Sequence, residues 1–70
     1  MEQAPKISLK AARVNAGLNQ KAAAKQLGIT DATLHSYEIG RTIPDYDVVQ
    51  KISELYKYPL DLISFGPRTN

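Results

Sequence analysis

The apolar positions of this chain recur every three or four residues, in short blocks separated by polar or glycine-containing stretches. Leu9, Ala12 and Ala16 share one face of a first block, LKAARVNA, which reads as a helix between Ser8 and Gly17. Ala23, Ala24 and Leu27 share a face of a second, QKAAAKQL, between Asn19 and Gly28. Leu34 and Tyr37 mark the inner side of a third, which runs from Thr30 to Ile39 and stops at Gly40. After Pro44, the residues Tyr46, Val49, Ile52, Ser53 and Tyr56 form the core-facing stripe of a fourth, with Val48 and Leu55 off to one side. Tyr58 and Pro59 then lead into LDLIS, a short fifth helix with Leu60 and Ile63 inward and Leu62, Tyr58 and Phe65 partly exposed.

The punctuation agrees with these blocks. Ser8, Asn19, Thr30 and Asp45 each stand where a helix needs a side-chain oxygen to cap its first N–H groups. Gly28 follows Leu27 at a position that favours positive φ, and Ile29 can fold back there as an apolar plug. Asp31 suits the positive end of the third helix. Two helices joined by a tight glycine turn match the helix-turn-helix pattern, in which the second helix enters the major groove of DNA. The expected architecture is all-α, with residues 1–7 as an N-terminal arm, 8–65 as the domain and 66–70 as a tail or the start of a linker.

The combination of Gln20, Ala23-Ala24, Leu27-Gly28-Ile29, Thr30, Leu34, Tyr37-Glu38, Gly40-Arg41 and Pro44 resembles the Cro/C1-type, or xenobiotic-response-element-like, helix-turn-helix domain of phage repressors. The resemblance covers roughly Leu9 to Ile63. It implies a five-helix, lambda-repressor-like bundle. It also implies that Arg13 pairs with Glu38, tying the first helix to the end of the third; two independent surface charges are the other reading. Gln20, Arg41 and Thr42 fall on positions that contact backbone phosphate in that family, although Gln20 also reads as a plain polar helix start. Two departures stand out: Ala23 replaces a usually larger residue, and Lys57 stands where a helix-ending glycine is common.

Seventy residues bound the chain to one small core, which close helix packing has to stabilise. There is no cysteine, hence no disulfide and no thiolate metal site. No apolar run approaches the ~18 residues of a membrane span, and no signal-peptide pattern opens the chain. The net charge of +2 says little by itself, but its distribution is uneven. Lys6, Lys10, Arg13, Lys21, Lys25 and Arg41 face only Glu2, Asp31 and Glu38 in residues 1–41, whereas acids outnumber bases after that. The positive excess thus lies with the helix pair, as expected of a phosphate-facing surface.

Candidate contacts follow. Lys21 and Lys25 are four apart and share a face that lies either along a phosphate strand or in water. Base contacts come mainly from the first part of a recognition helix, which nominates Asp31, Ala32, Thr33 and Ser36. Thr33 can donate, accept or offer its methyl; Ala32 can meet a thymine methyl; Asp31 can accept from cytosine N4 or serve only the helix dipole. No Arg, Asn or Gln stands in the third helix for bidentate base contacts, so part of the specificity is expected from DNA shape. His35, the sole histidine, has no ligand companions, and no catalytic constellation is present. The expectation is a non-enzymatic regulator, without cofactor or metal, that binds double-stranded DNA as a homodimer in the bacterial or phage-infected cytoplasm, on the nucleoid. The alternative is a protein-interaction module such as an antitoxin or coactivator-like adaptor.

Overall fold

The computed structural model describes residues 6–65; the expected arm residues 1–5 and tail 66–70 lie outside the described part. The elements run β1 (Ile7–Ser8), α1 (Leu9–Asn15), α2 (Gln20–Leu27), α3 (Asp31–Glu38), α4 (Tyr46–Tyr56), a single 3₁₀ turn (Leu60–Leu62) and β2 (Ile63–Ser64).

Each α-helix begins on a side-chain cap. Ser8 accepts from the backbone N–H of Ala11, Asn19 from Ala22, Thr30 from Thr33 and Asp45 from Val48. The ends are equally regular. At the end of α2, Gly28 adopts φ 75°, its N–H donates to the Lys25 carbonyl, and Ile29 N–H reaches back to Ala24 at 3.0 Å. That pair of bonds satisfies carbonyls the helix would otherwise leave open and turns Ile29 onto the core. The same closure ends α4 although Lys57, at φ 55°, occupies the left-handed position. There the Ser53 hydroxyl donates to the Tyr58 carbonyl at 2.7 Å while Tyr58 N–H donates to the Ser53 carbonyl, so side chain and backbone together hold a turn that lacks its glycine.

The core consists of Leu9, Ala12, Ala23, Ala24, Leu27, Leu34, Ile52, Tyr56 and Ile63. Three of these are alanines, and Ala23, small as it is, is completely enclosed. Short side chains at the contacts let helix axes approach closely, which is how a chain of this length fills its centre.

Two expectations are corrected. The fifth helix does not form: LDLIS gives one 3₁₀ turn and then an extended pair, Ile63–Ser64, which lies parallel to Ile7–Ser8 with Ile7 opposite Ile63. The described residues therefore hold four α-helices, and the fold is all-α apart from this two-residue ladder. A segment of five residues behind Pro59 is too short to sustain an α-helix on its own, whereas pairing with β1 satisfies backbone groups of both ends of the domain. Ile63 is buried as expected, but on a strand. Ile7, at the end of the expected arm, is joined to the domain by this pairing.

The face of α4 is also turned. Ile52 and Tyr56 are buried, and Val48 and Leu55 pack against the core, but Tyr46 is 68% exposed, its hydroxyl accepting from Gln50 at 3.0 Å. Tyr46 lies six residues before Ile52, which at about 100° per residue puts it roughly 120° around the helix. The spacing 48, 52, 55, 56 is the better helical stripe.

Candidate nucleic-acid interface

α3 is held at one end and free at the other. Leu34, in its second turn, is fully buried, and Tyr37 packs on the core. Ahead of them, Asp31 and Ala32 are exposed, Thr33 is half-exposed, and His35 and Ser36 continue the outer side. The first turn is fixed locally: Thr30 Oγ1 accepts from Thr33 N–H at 3.1 Å and shares a hydroxyl–hydroxyl hydrogen bond with Thr33 Oγ1 at 2.9 Å. Nothing of the described chain covers Asp31 or Ala32.

The other end is fixed by distant residues. Arg13 Nε donates to Glu38 Oε2 at 2.7 Å and its Nη2 to Oε1 at 3.2 Å, a two-bond pair whose side chains are only 9% and 4% exposed. Arg13 Nη1 donates to the Leu18 carbonyl at 2.9 Å, and Gln20 Nε2 donates to Glu38 Oε1 at 3.1 Å. One carboxylate thus gathers α1 and the start of α2 onto the last turn of α3. Charges buried this deeply persist because every polar atom has a partner. Beneath them the Tyr56 hydroxyl is buried without a hydrogen-bond partner among the described residues. Burial pushes its pKa up to about 12; the Glu38 charge adds to the rise and the Arg13 charge opposes it.

Around this knot opens a depression of about 300 Å³ lined by Lys10, Arg13, Gln20, His35, Glu38 and Ile39. Lys10 was not among the residues nominated from sequence; it stands one helical turn before Arg13, and that spacing was the available signal. Lys21, Lys25, Arg41 and Thr42 are exposed. The backbone N–H of Arg41 donates to the Ser36 carbonyl at 2.9 Å, and that of Thr42 points to the same oxygen at 3.4 Å. Contacts outward from these two residues therefore have to come from their side chains. Ile43 is 63% exposed, while Pro44 beside it is buried. Among the described residues no group of three or more His, Asp or Glu side chains could hold a metal ion, and no helix is long and apolar enough to cross a membrane.

The sequence model of the family described as "Helix-turn-helix" matches residues 9–63, nearly the whole of the described fold. The chain belongs to the helix-turn-helix family. Its Cro/C1-type character is the one its residues resemble. A curated relative, the "HTH-type transcriptional regulator ImmR" of Bacillus subtilis (strain 168), is 42% identical over 55 residues. That alignment takes in 79% of this chain and 43% of the relative, so the chain spans less than half the length of the regulator it matches. No solved structure matches the chain significantly. In this helix-turn-helix chain the pair is α2 and α3, and the turn between them is the Gly28–Ile29–Thr30 segment.

Proposed function

We propose that this chain is the DNA-binding domain of a transcriptional regulator, a repressor in kind, which inserts α3 into the major groove of double-stranded DNA. One observation carries the reading: the first turn of α3 stands bare while Leu34 and Glu38 anchor the rest of the helix. A helix presented in this way can enter a groove without repacking. Asp31, Ala32, Thr33 and Ser36 face the bases. Gln20, Lys21, Lys25, Arg41 and Thr42 grip phosphates, with Lys10 added from the depression beside Gln20. Arg13, Glu38 and Gly28 set the angle. Two copies bind a two-fold operator with half-sites ~34 Å apart, each reading one groove face. The work is done in the cytoplasm, on the nucleoid, and involves no catalysis.

The relative's description as a transcriptional regulator supports this reading. Selection of bound duplex from a random pool, followed by fluorescence anisotropy across a salt series, tests it. A two-fold site should emerge, and log K should fall against log salt with a slope of about 0.9 for each phosphate neutralised. Tight binding that is indifferent to salt, or no selected sequence at all, would remove the proposal.

A second reading has its own observation. Ile39 and Ile43 flank the far end of α3 and are 51% and 63% exposed, and Tyr46 follows them. Apolar side chains in that position suit a protein partner better than phosphates, as in an antitoxin or adaptor. Replacing Arg41 and Thr33 together separates the two: DNA binding is lost with helicity intact in the first case, and function is unaffected in the second.

A further inference from the structure

The depression beside the Arg13–Glu38 pair holds more donors than the pair uses. Glu38 is the one carboxylate in its lining, and both oxygens are taken. Oε2 accepts from Arg13 Nε, and Oε1 accepts from Arg13 Nη2 and Gln20 Nε2. A carboxylate only accepts, so the amide nitrogen of Gln20 must face it, and that nitrogen keeps a second N–H. Lys10 from α1 and His35 from α3 complete the polar lining. Both are exposed, and neither side chain has a hydrogen-bond or ion-pair partner among the described residues. Arg13 and Glu38 cancel in charge. The depression, about 300 Å³, is left with the Lys10 charge, and with a second whenever His35 is protonated.

We infer that this depression seats one backbone phosphate of the bound duplex, held between Lys10 and His35, and that His35 joins the grip as its imidazolium. The inference rests on the DNA-binding reading above and adds His35 to its phosphate contacts. The place suits a strand rather than a base. His35 lies in the second turn of α3, behind the bare first turn, where α1 and the start of α2 meet the helix. Lys10 brings a fixed charge; an imidazole brings one N–H when neutral, and two with a positive charge when protonated. The charged groups around His35 are Lys10 and Arg13 on α1, and on α3 Glu38 and, one turn earlier, Asp31. From α2 comes the neutral Gln20, and Tyr56, beneath the ion pair, titrates only at about 12. Histidine is the side chain that ordinarily changes charge between pH 5 and 8, and this chain has one. Its proton therefore ties DNA affinity to pH, with tighter binding as pH falls.

Fluorescence anisotropy on a random-sequence duplex and on the selected one, in salt series at pH 6 and pH 8, tests this with the wild type, H35Q and H35K. Wild-type affinity should be about fivefold higher per chain at pH 6, the upper scale of an exposed ion pair. Its plot of log K against log salt should also steepen by about 0.9 per chain at pH 6, for one more phosphate neutralised. H35Q, neutral throughout, should give the shallow slope at both pH values, and H35K, charged throughout, the steep one. The chain's amino terminus also titrates near this range but is common to all three proteins. Circular dichroism checks folding, and either variant decides the matter if the other does not fold. A wild-type pH effect that persists in H35Q or H35K overturns this inference alone. So does a pH effect without a change of salt slope, which would pair the imidazolium with Asp31 instead, or one confined to the selected duplex, which would make His35 a reader of a base edge. Failure to bind any duplex at either pH overturns the DNA-binding proposal and this inference with it.

Discussion

The two ends of α3 are built in opposite ways. At its start, the Thr30 and Thr33 side chains bond locally to each other, and Asp31 and Ala32 meet solvent. At its end, Glu38 is buried and tied to Arg13 and Gln20, residues far away in sequence. The difference separates two tasks. Long-range bonds at the buried end fix where the helix points, and local bonds at the open end leave its first turn free to display side chains. A helix anchored at both ends could not enter a groove, and one anchored at neither would not hold an angle.

The largest test of this contrast is Glu38→Ala. It leaves the Arg13 guanidinium buried without its counter-charge, which costs about 3–5 kcal/mol. Chains of this length have a total stability on the order of 3–10 kcal/mol, so urea denaturation should find the variant largely unfolded or close to it. The double change Arg13→Met with Glu38→Leu sharpens the point, because replacing both charges by apolar groups is often neutral or stabilising. Folding should recover in the double variant, but DNA affinity should not, since Gln20 has lost the carboxylate that orients its amide. Full recovery of both would mean that the knot supports stability alone.

The next effect belongs to the buried end as well and appears at high pH. Tyr56 is raised to about 12 in the folded chain against an ordinary value of 10. The folded state therefore holds its proton where the unfolded chain has lost it. The contribution is fully present below pH 10 and is lost as pH rises from 10 through 12; two pH units correspond to about 3 kcal/mol. Tyr56→Phe removes that alkaline loss. Near pH 7 it should leave stability unchanged or improve it by about 1 kcal/mol, because a buried hydroxyl without a partner is taken out. Urea midpoints for the two proteins at pH 7 and pH 11 check the sign: the difference must widen in favour of Phe at the higher pH.

A smaller effect belongs to the open end. Thr30→Ala removes the cap from Thr33 N–H and should cost about 1 kcal/mol, by thermal denaturation. If it cost as much as Glu38→Ala, the open end would be an anchor too and the contrast would collapse.

What could be read from the sequence follows the same division between local and distant. All four helix caps, Ser8, Asn19, Thr30 and Asp45, act through residues three positions away, and each is visible as a side-chain type at the head of an apolar block. The turn at Gly28 is equally local. The Arg13–Glu38 pair spans three helices and came from the family resemblance, since no spacing rule links those positions. The strand pairing of Ile7 with Ile63 joins the two ends of the described chain, and LDLIS taken by itself carries no sign of it. On α4 the aromatic Tyr46 outweighed the spacing, although Val48, Ile52, Leu55 and Tyr56 already formed the regular stripe. The Thr30–Thr33 hydroxyl bond lay hidden because sequence gives the cap residue but not the rotamer that brings the second hydroxyl to it.

Just beyond the anchored end, Arg41 supplies the smallest effect on folding. Its side chain is exposed, and what fixes the local backbone is its own N–H bond to the Ser36 carbonyl, which any residue but proline can make. Arg41→Ala should therefore change stability by no more than about 0.5 kcal/mol, the usual range for surface positions. Its effect should fall on binding: affinity drops for every duplex alike, and the salt slope falls by about 1, as for the loss of one phosphate contact. Loss at one base position only would mean that the guanidinium reads a base edge, and the division between a displayed first turn and a gripping flank would have to be redrawn. A fall in stability equal to that of Thr30→Ala would instead place Arg41 within the anchor.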